Sequence, residues 1–396
     1  AGCRDILDRL HIIESTTALK WIRDFGPLYG QGPNGTLVLF DNIYQSDSFG
    51  VSSLLADGGE ASLYTQRISK MDARCDLVPI YLNAFLSENT EQPVKLVKTS
   101  LLLDGGDVFF DGSGRMFTSF NSLVINGMDR DSFKQAVDHS FGVHDVHFLK
   151  ALPGETVDHL DMLFKLVAPN IALVPDVSHF SAHLESGPVY RRHLLKEVLK
   201  TVEYNNNYLA AKCPDLKLIK VPMPLPVFAS REKMISDSLR SVLATLQRRW
   251  GMRPSSAAAG SGGVDLSDLE PVIQRVRSEI GQIDLQSESG LSILLRHYLK
   301  TDLDSYLQVY AESKTSYRSY INSFYIQSRE GRRTFVVPRY SALDAAENLE
   351  LARMEKDVQS VYAAVAGKAE IIWIDSDILT SEQSAIHCVV SGVPYI

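Results

Sequence analysis

Short apolar runs alternate with amphipathic stretches along most of the chain. "TLVLFD" (36–41), "TSLLLDGGDVFFD" (99–111), "NIALVPD" (170–176), "LKLIKVPMP" (216–224), "RTFVVPRY" (333–340) and "EIIWID" (370–375) are Leu-rich or β-branched. Most end on a polar residue or a proline. Runs of this kind predict buried strands. Between them, 130–139, 188–203 and 343–366 carry a helical period. The recurring order of strand, polar edge, helix and strand predicts an α/β fold made of several similar units.

From 229 to 318 the rhythm changes to helical throughout. Ile235, Leu239, Val242 and Leu246 step by four, three and four. Leu266, Leu269, Ile273, Val276 and Ile280 form a second stripe, and Leu295, Leu299, Leu303, Tyr306 and Tyr310 a third. "RPSSAAAGSGG" (253–263) between the first two stripes has the composition of a flexible linker. The expected organisation is an α/β body, 1–228 and 319–396, carrying a helical insertion over 229–318. Amphipathic helices of this kind ordinarily cover an exposed face; a lid or partner-docking role is the alternative.

Composition narrows the function. The chain has 396 residues, 45% hydrophobic and 22% charged, which is ample for a large core. A net charge of −8 with no long basic run argues against nucleic acid and suits a cationic ligand. The longest apolar runs, such as "SLLL" at 100–103, are far short of a membrane span. The four cysteines, at 3, 75, 213 and 388, are too widely spaced for a zinc or disulfide framework. No metal site is therefore expected, and the disulfide status of Cys3, Cys75 and Cys213 stays open. So does the compartment, cytoplasmic or secreted. "AGC" resembles the tail of a bacterial lipobox without its apolar stretch, and residues 4–14 read as a helix end running into a strand. The expectation is a chain that begins within a unit, its first unit incomplete.

Four stretches carry candidate chemistry. "WIRDFGP" (21–27) gathers Trp21, Arg23 and Asp24 in what reads as a loop closed by Gly26 and Pro27. In "LLLDGGDVFFDGSGRMFTS" (101–119), Asp104 ends a buried strand before two glycines, where a ligand can approach the backbone closely. A hairpin follows at Asp111–Gly114, and the alternating acid ladder of a calcium loop is missing. In "GETVDHLDMLFKLVAPN" (154–170), His159 and Asp161 are two apart and would share one side of an extended segment. A carboxylate beside an imidazole suits acid/base work. Finally, Cys388 lies in "SEQSAIHCVVSGVPYI"; an inert buried cysteine is the ordinary reading, and a reactive one needs its thiolate stabilised. Together, several carboxylates, one histidine and one cysteine suit attack on a guanidinium, a planar cation that carboxylates grip bidentately.

The order "WIRDFGP", "DGGDVFFDGSG", "HLD", "SYINSFYI", "VVPRY" and "AIHC" resembles the agmatine deiminase and Porphyromonas-type peptidylarginine deiminase family, over 1–228 and 319–396. The resemblance implies a five-unit, pseudo-symmetric α/β propeller (a pentein) and a guanidine hydrolase without cofactor or metal. It implies Cys388 as nucleophile, His159 as general acid/base and Asp104 in a catalytic position. Asp24 and Asp161 would grip the guanidinium, with Trp21, Arg23, Asn322 and Glu155 also on the substrate side. Arginine, an arginine derivative or a peptide arginine is the implied substrate. Amidino transfer on the same scaffold and an inactive guanidine-binding or docking protein are the alternatives, and homo-oligomerisation is left open. Three features depart from the family pattern. "SEQSA" (381–385) replaces a glycine run, Asp104 replaces a longer Glu, and the helices at 229–318 are additional.

Overall fold

The computed structural model describes residues 22–44, 75–155, 158–185, 187–252, 269–285, 287–327, 331–367, 369–381 and 386–391. Among them are four three-stranded sheets with one wiring. The first holds Leu28–Gln31 (β1), Leu37–Ile43 (β2) and Val94–Leu102 (β3). The second holds Phe109–Phe110 (β4), Arg115–Ser119 (β5) and Asp145–Leu149 (β6). Lys165–Ala168 (β7), Ile171–Asp176 (β8) and Lys217–Pro222 (β9) form the third; Phe324–Gln327 (β10), Arg333–Arg339 (β11) and Glu370–Asp375 (β12) form the fourth. In each, the first strand pairs antiparallel with the second and the second parallel with the third.

The wiring follows from chain length between strands. Antiparallel neighbours need only a tight turn, whereas a parallel pair needs a crossover, and helices supply it. Val78–Asn89 lies between β2 and β3, Arg130–Phe141 between β5 and β6, Val189–Lys212 between β8 and β9, and Ala345–Ala366 between β11 and β12. The central strands read as apolar runs because both faces are covered. Ala172, Leu173 and Val174 of β8 are all buried, as are Phe335 and Val337 of β11. The turn at Asp111 is held by its own carboxylate, which accepts from the Ser113 and Arg115 amides and pairs with the Arg115 guanidinium at 2.6 Å.

The chain divides into two compact units. One comprises 1–178, 199–225 and 317–396; the other comprises 179–198 and 226–316. In the second, Leu239, Val242 and Leu246 of helix Arg231–Arg249 share a core with Val272, Ile273 and Val276 of helix Glu270–Ile280. Leu291, Leu294 and Leu295 complete it. Ser230 and Ser287 cap helices by accepting from the amides of Lys233 and Gly290. The third apolar stripe is not one helix. Glu288–Leu294 passes into a π turn at Leu295–Leu299, Lys300 takes a left-handed conformation with φ 56°, and a new helix runs from Leu303 to Lys314. Side-chain periodicity is silent on such a backbone reversal. The linker 253–263, Leu266 and residues 1–21 lie outside the described residues.

Three further expectations are corrected. The run at 99–111 is two strands, β3 and β4, because Asp104–Asp107 forms a turn closed by the Asp107 amide on the Asp104 carbonyl. Residues Ile22–Phe25 form one helical turn rather than a loop, closed by the Gly26 amide on the Ile22 carbonyl at 2.8 Å. Asp161 lies in a 3-10 turn, Leu160–Met162, rather than in an extended segment; His159 alone is extended.

Candidate active site

The candidate side chains sit in connections between strands. Asp24 precedes β1, and Asp104 and Asp107 link β3 to β4. Glu155, His159 and Asp161 link β6 to β7, and Asn322 precedes β10. His387 and Cys388 lie in a 3-10 turn, Ile386–Val389, after β12. All belong to the first compact unit. Backbone hydrogen bonds tie three of the connections together: the Gly105 amide donates to the Asp24 carbonyl at 3.2 Å, and the Asp161 amide to the Gly106 carbonyl at 3.1 Å.

The two glycines after Asp104 are set by space. A Cβ at Gly105 would fall 2.0 Å from the Arg23 carbonyl oxygen. One at Gly106 would fall 2.6 Å from His159 Nδ1 and 3.0 Å from Asp24 Oδ1. The backbone here is a wall of the site. Asp107 is turned away from it; its carboxylate accepts from the Ser119 amide and from the hydroxyls of Thr118, Ser119 and Ser122 at 2.8–3.0 Å. It therefore staples the connection to β5.

His159 is buried between acids. Its Nε2 is 3.4 Å from Asp104 Oδ2, its Nδ1 is 3.7 Å from Asp24 Oδ1, and its amide donates to Glu155 Oε2 at 2.9 Å. Cys388 Sγ donates to Asp161 Oδ2 at 3.4 Å and receives Asn322 Nδ2 at 3.6 Å. Asn322 Oδ1 accepts from the His387 amide at 2.8 Å, so one amide side chain clamps the turn and touches the sulfur. Asp161 Oδ2 is also 2.9 Å from His387 Nδ1. Two carboxylate oxygens, Asp24 Oδ1 and Asp161 Oδ1, are buried and receive no hydrogen bond, the first facing His159 Nδ1 only at 3.7 Å. A buried carboxylate oxygen without a donor is costly, and both could accept from N–H donors of a bound cation.

The electrostatics follow from burial and crowding. Burial would lower the His159 pKa, but the carboxylates of Asp24, Asp104 and Asp161 overcome it and hold the imidazolium well above its ordinary value. Burial pushes the Asp24 carboxyl up to about 7 and Glu155 up to about 8. Burial works to raise Asp161 too, yet the hydrogen bond from His387, the His159 charge and the thiol hold it below the usual range. Burial, with the Arg23 and Lys165 cations, pushes His387 down to about 3, so this ring is neutral. Its Nδ1 then carries the proton that faces Asp161.

Sequence reasoning did not single out His387, Lys165 or the stapling role of Asp107. Lys165 is buried in the apolar tract "MLFKLV", which was its available signal. Its ammonium donates to the Ser323 carbonyl beside Asn322, and burial lowers its pKa to about 7. Of the expected residues, Asp24, Asp104 and Glu155 gather around His159, while Asp161 and Asn322 gather around Cys388; the Asp161 amide on the Gly106 carbonyl and the Gly105 amide on the Asp24 carbonyl join the two clusters through backbone. Arg23 joins the second cluster through backbone, its Nε donating to the His387 carbonyl at 3.4 Å. Trp21 and the altered stretch 382–385 lie outside the described residues. Cys75 and Cys213 are buried thiols, and among the described residues no group of three or more metal-ligating side chains is placed to hold an ion.

The fold is an α/β chain of repeated three-stranded sheets, with a buried cysteine, histidines and carboxylates gathered in the segments beside the strands. The profile of the Porphyromonas-type peptidyl-arginine deiminase family matches residues 2–394, and the chain belongs to that family. A Mycoplasma mycoides subsp. mycoides protein named "Putative agmatine deiminase" is 24% identical over 239 residues, 59% of this chain. The chain spans 57% of that relative's length. Among solved structures, a Porphyromonas gingivalis protein described as a "Putative Arginine Deiminase" superposes with a TM-score of 0.54 at 16% identity, covering 97% of this chain and 78% of its own. C. jejuni agmatine deiminase superposes with a TM-score of 0.50 at 14% identity, covering 95% and 72%. These structural likenesses are likenesses of fold.

Proposed function

We propose that the protein is a guanidine hydrolase, a deiminase acting on arginine, an arginine derivative such as agmatine, or a peptide arginine. The observation that carries this reading is the pair of buried oxygens without a hydrogen bond, one on Asp161 beside the Cys388 thiol and one on Asp24 beside the His159 imidazolium. Two carboxylates fit the N–H edges of a guanidinium, whose positive charge in turn favours the thiolate. Cys388 attacks the guanidinium carbon, and the carbon–nitrogen bond breaks as His159 gives its proton to the departing ammonia. His159, now a base, takes a proton from water. The water attacks the S-linked amidine, the carbon–sulfur bond breaks, and a ureido product leaves with the thiolate restored. Asp104 holds the imidazole, Asn322 presents the sulfur and Glu155 fixes the His159 backbone, while Arg23 anchors the turn before Cys388.

The reading extends to architecture. Four sheets of one wiring, with site residues drawn from five connections, support a five-unit pseudo-symmetric propeller as the form of the catalytic body. The domain assignment is that body, 1–228 and 319–396, with 229–318 as a helical insertion. None of the described helices is long and apolar enough to cross a membrane.

The test is release of ammonia and ureido product from a panel of agmatine, arginine and arginine-containing peptides, with mass spectrometry of the acid-quenched protein. Wild type should carry an amidino adduct on Cys388, and Cys388→Ala should carry none and release no product. Equal product from both proteins refutes the reading; a new guanidine formed when an amine is added assigns amidino transfer instead.

A further inference from the structure

His387 stands beside the nucleophile and has no part in the mechanism above. Its surroundings nevertheless fix it from every side. Its amide donates to Asn322 Oδ1, its carbonyl accepts from Arg23 Nε, and its ring stacks on Phe109 at 6.0 Å and 14°. Its Nδ1 lies 2.9 Å from Asp161 Oδ2, the oxygen that the Cys388 thiol also approaches. Asp161 is held at its backbone too, its amide donating to the Gly106 carbonyl. With backbone and Oδ2 both fixed, the carboxylate cannot rotate freely, and Oδ1 stays buried and without a donor.

We propose that His387 is a positioning residue: its Nδ1–H holds Oδ2 of Asp161 so that Oδ1 faces the guanidinium slot and Oδ2, beside the sulfur, carries less negative charge. The proposal rests on the guanidine-hydrolase reading for its substrate. The dyad is set by this chain's own contacts. A carboxylate with one oxygen already bonded presents a single directed acceptor, which orders the incoming cation at less entropic cost. The same bond draws negative charge from the oxygen nearest the sulfur, and a less basic neighbour leaves the thiolate easier to form. A neutral ring is needed for this task, because an imidazolium here would compete with the substrate's charge. The charged and titratable groups acting on the cluster include Asp161, His159, Asp24, Glu155, Arg23, Lys165 and Tyr340.

The test compares His387→Asn, whose amide N–H can stand where Nδ1–H stands, with His387→Leu and His387→Ala, which lack a donor. Leu retains bulk against Phe109, so it controls for packing, and thermal unfolding of all three reports folding. KM for the best guanidine substrate should rise about tenfold or more in Leu and Ala, the loss expected for one charged hydrogen bond, and stay within about threefold of wild type in Asn. Separately, and without substrate, the pH midpoint of Cys388 alkylation by iodoacetamide should move up by about one unit in Leu and Ala and return in Asn. Unchanged KM in folded Leu and Ala variants of an active enzyme overturns the proposal, as does a fall in kcat alone or an unmoved alkylation midpoint. A wild type that yields no ureido product overturns the deiminase reading and the substrate half of the proposal; the alkylation midpoints then decide the dyad by themselves.

Discussion

Replacing Gly106 by Ala adds one methyl group at the wall of the site. That methyl would lie 2.6 Å from His159 Nδ1 and 3.0 Å from Asp24 Oδ1, where ordinary contact begins at 3.4 Å. The ring must therefore retreat by about 0.8 Å, or the backbone must move with it. Retreat is obstructed, since His159 is bonded to Asp104 through Nε2 and its amide to Glu155. Overpacking of this kind costs about 1–3 kcal/mol of stability. The larger effect is on chemistry: a catalytic group displaced by about 1 Å loses about 100-fold in rate. The control is Gly112→Ala in the hairpin turn, where φ is +74° and nothing lies within 4 Å. Strain there costs about 1–2 kcal/mol and leaves the site untouched. The assay is kcat/KM from ureido product, with thermal midpoints for both variants. A Gly106→Ala protein with wild-type kcat/KM, or a Gly112→Ala protein that loses as much activity at equal stability, refutes the reasoning.

Two further outcomes are expected. Glu155 is protonated in the fold up to about pH 8 but ionises near 4.5 when unfolded, so its contribution is full below pH 4.5 and is lost as pH rises through about 8. Glu155→Gln keeps the acceptor for the His159 amide and should flatten this decline, making the variant the more stable of the two at pH 8; denaturant midpoints at pH 5 and 8 check it, and parallel pH curves for the two proteins contradict it. In the proposed reaction a protonated His159 gives its proton to the departing ammonia, so kcat should fall on the alkaline side as pH rises through its raised pKa. Asp104→Asn removes one of the carboxylates that, after Asp24, raise that pKa. The alkaline limb of the pH profile should then move down by about one unit, and an upward move would contradict the assignment.

Along the chain, local pattern determined the longer strands and three of the four crossover helices, leaving Val78–Asn89 unread. β2, β8, β9, β11 and β12 lie within two residues of the runs at 36–41, 170–176, 216–224, 333–340 and 370–375. Apolar periodicity reports burial of a face, and burial is what forms these elements. The shorter strands β1, β4, β5, β6, β7 and β10 were not separable from their surroundings, because two to five residues give too few periods to read. Order of motifs proposed Cys388, His159 and five partners, and the fold brings these residues into two adjoining clusters. What only tertiary structure decided is which atoms meet. His387 is 226 residues from Asp161 in the chain, and Arg23 is 364 from His387, so no local pattern links them. Whether a carboxylate grips a ligand, staples a strand or holds a histidine depends on the donors around each oxygen. Asp107, saturated by three hydroxyls and an amide, and Asp161, left with one bare oxygen, are the same residue type with opposite uses. Packing across connections sets that difference, because an oxygen's partners come from wherever the fold brings a donor within about 3 Å of it.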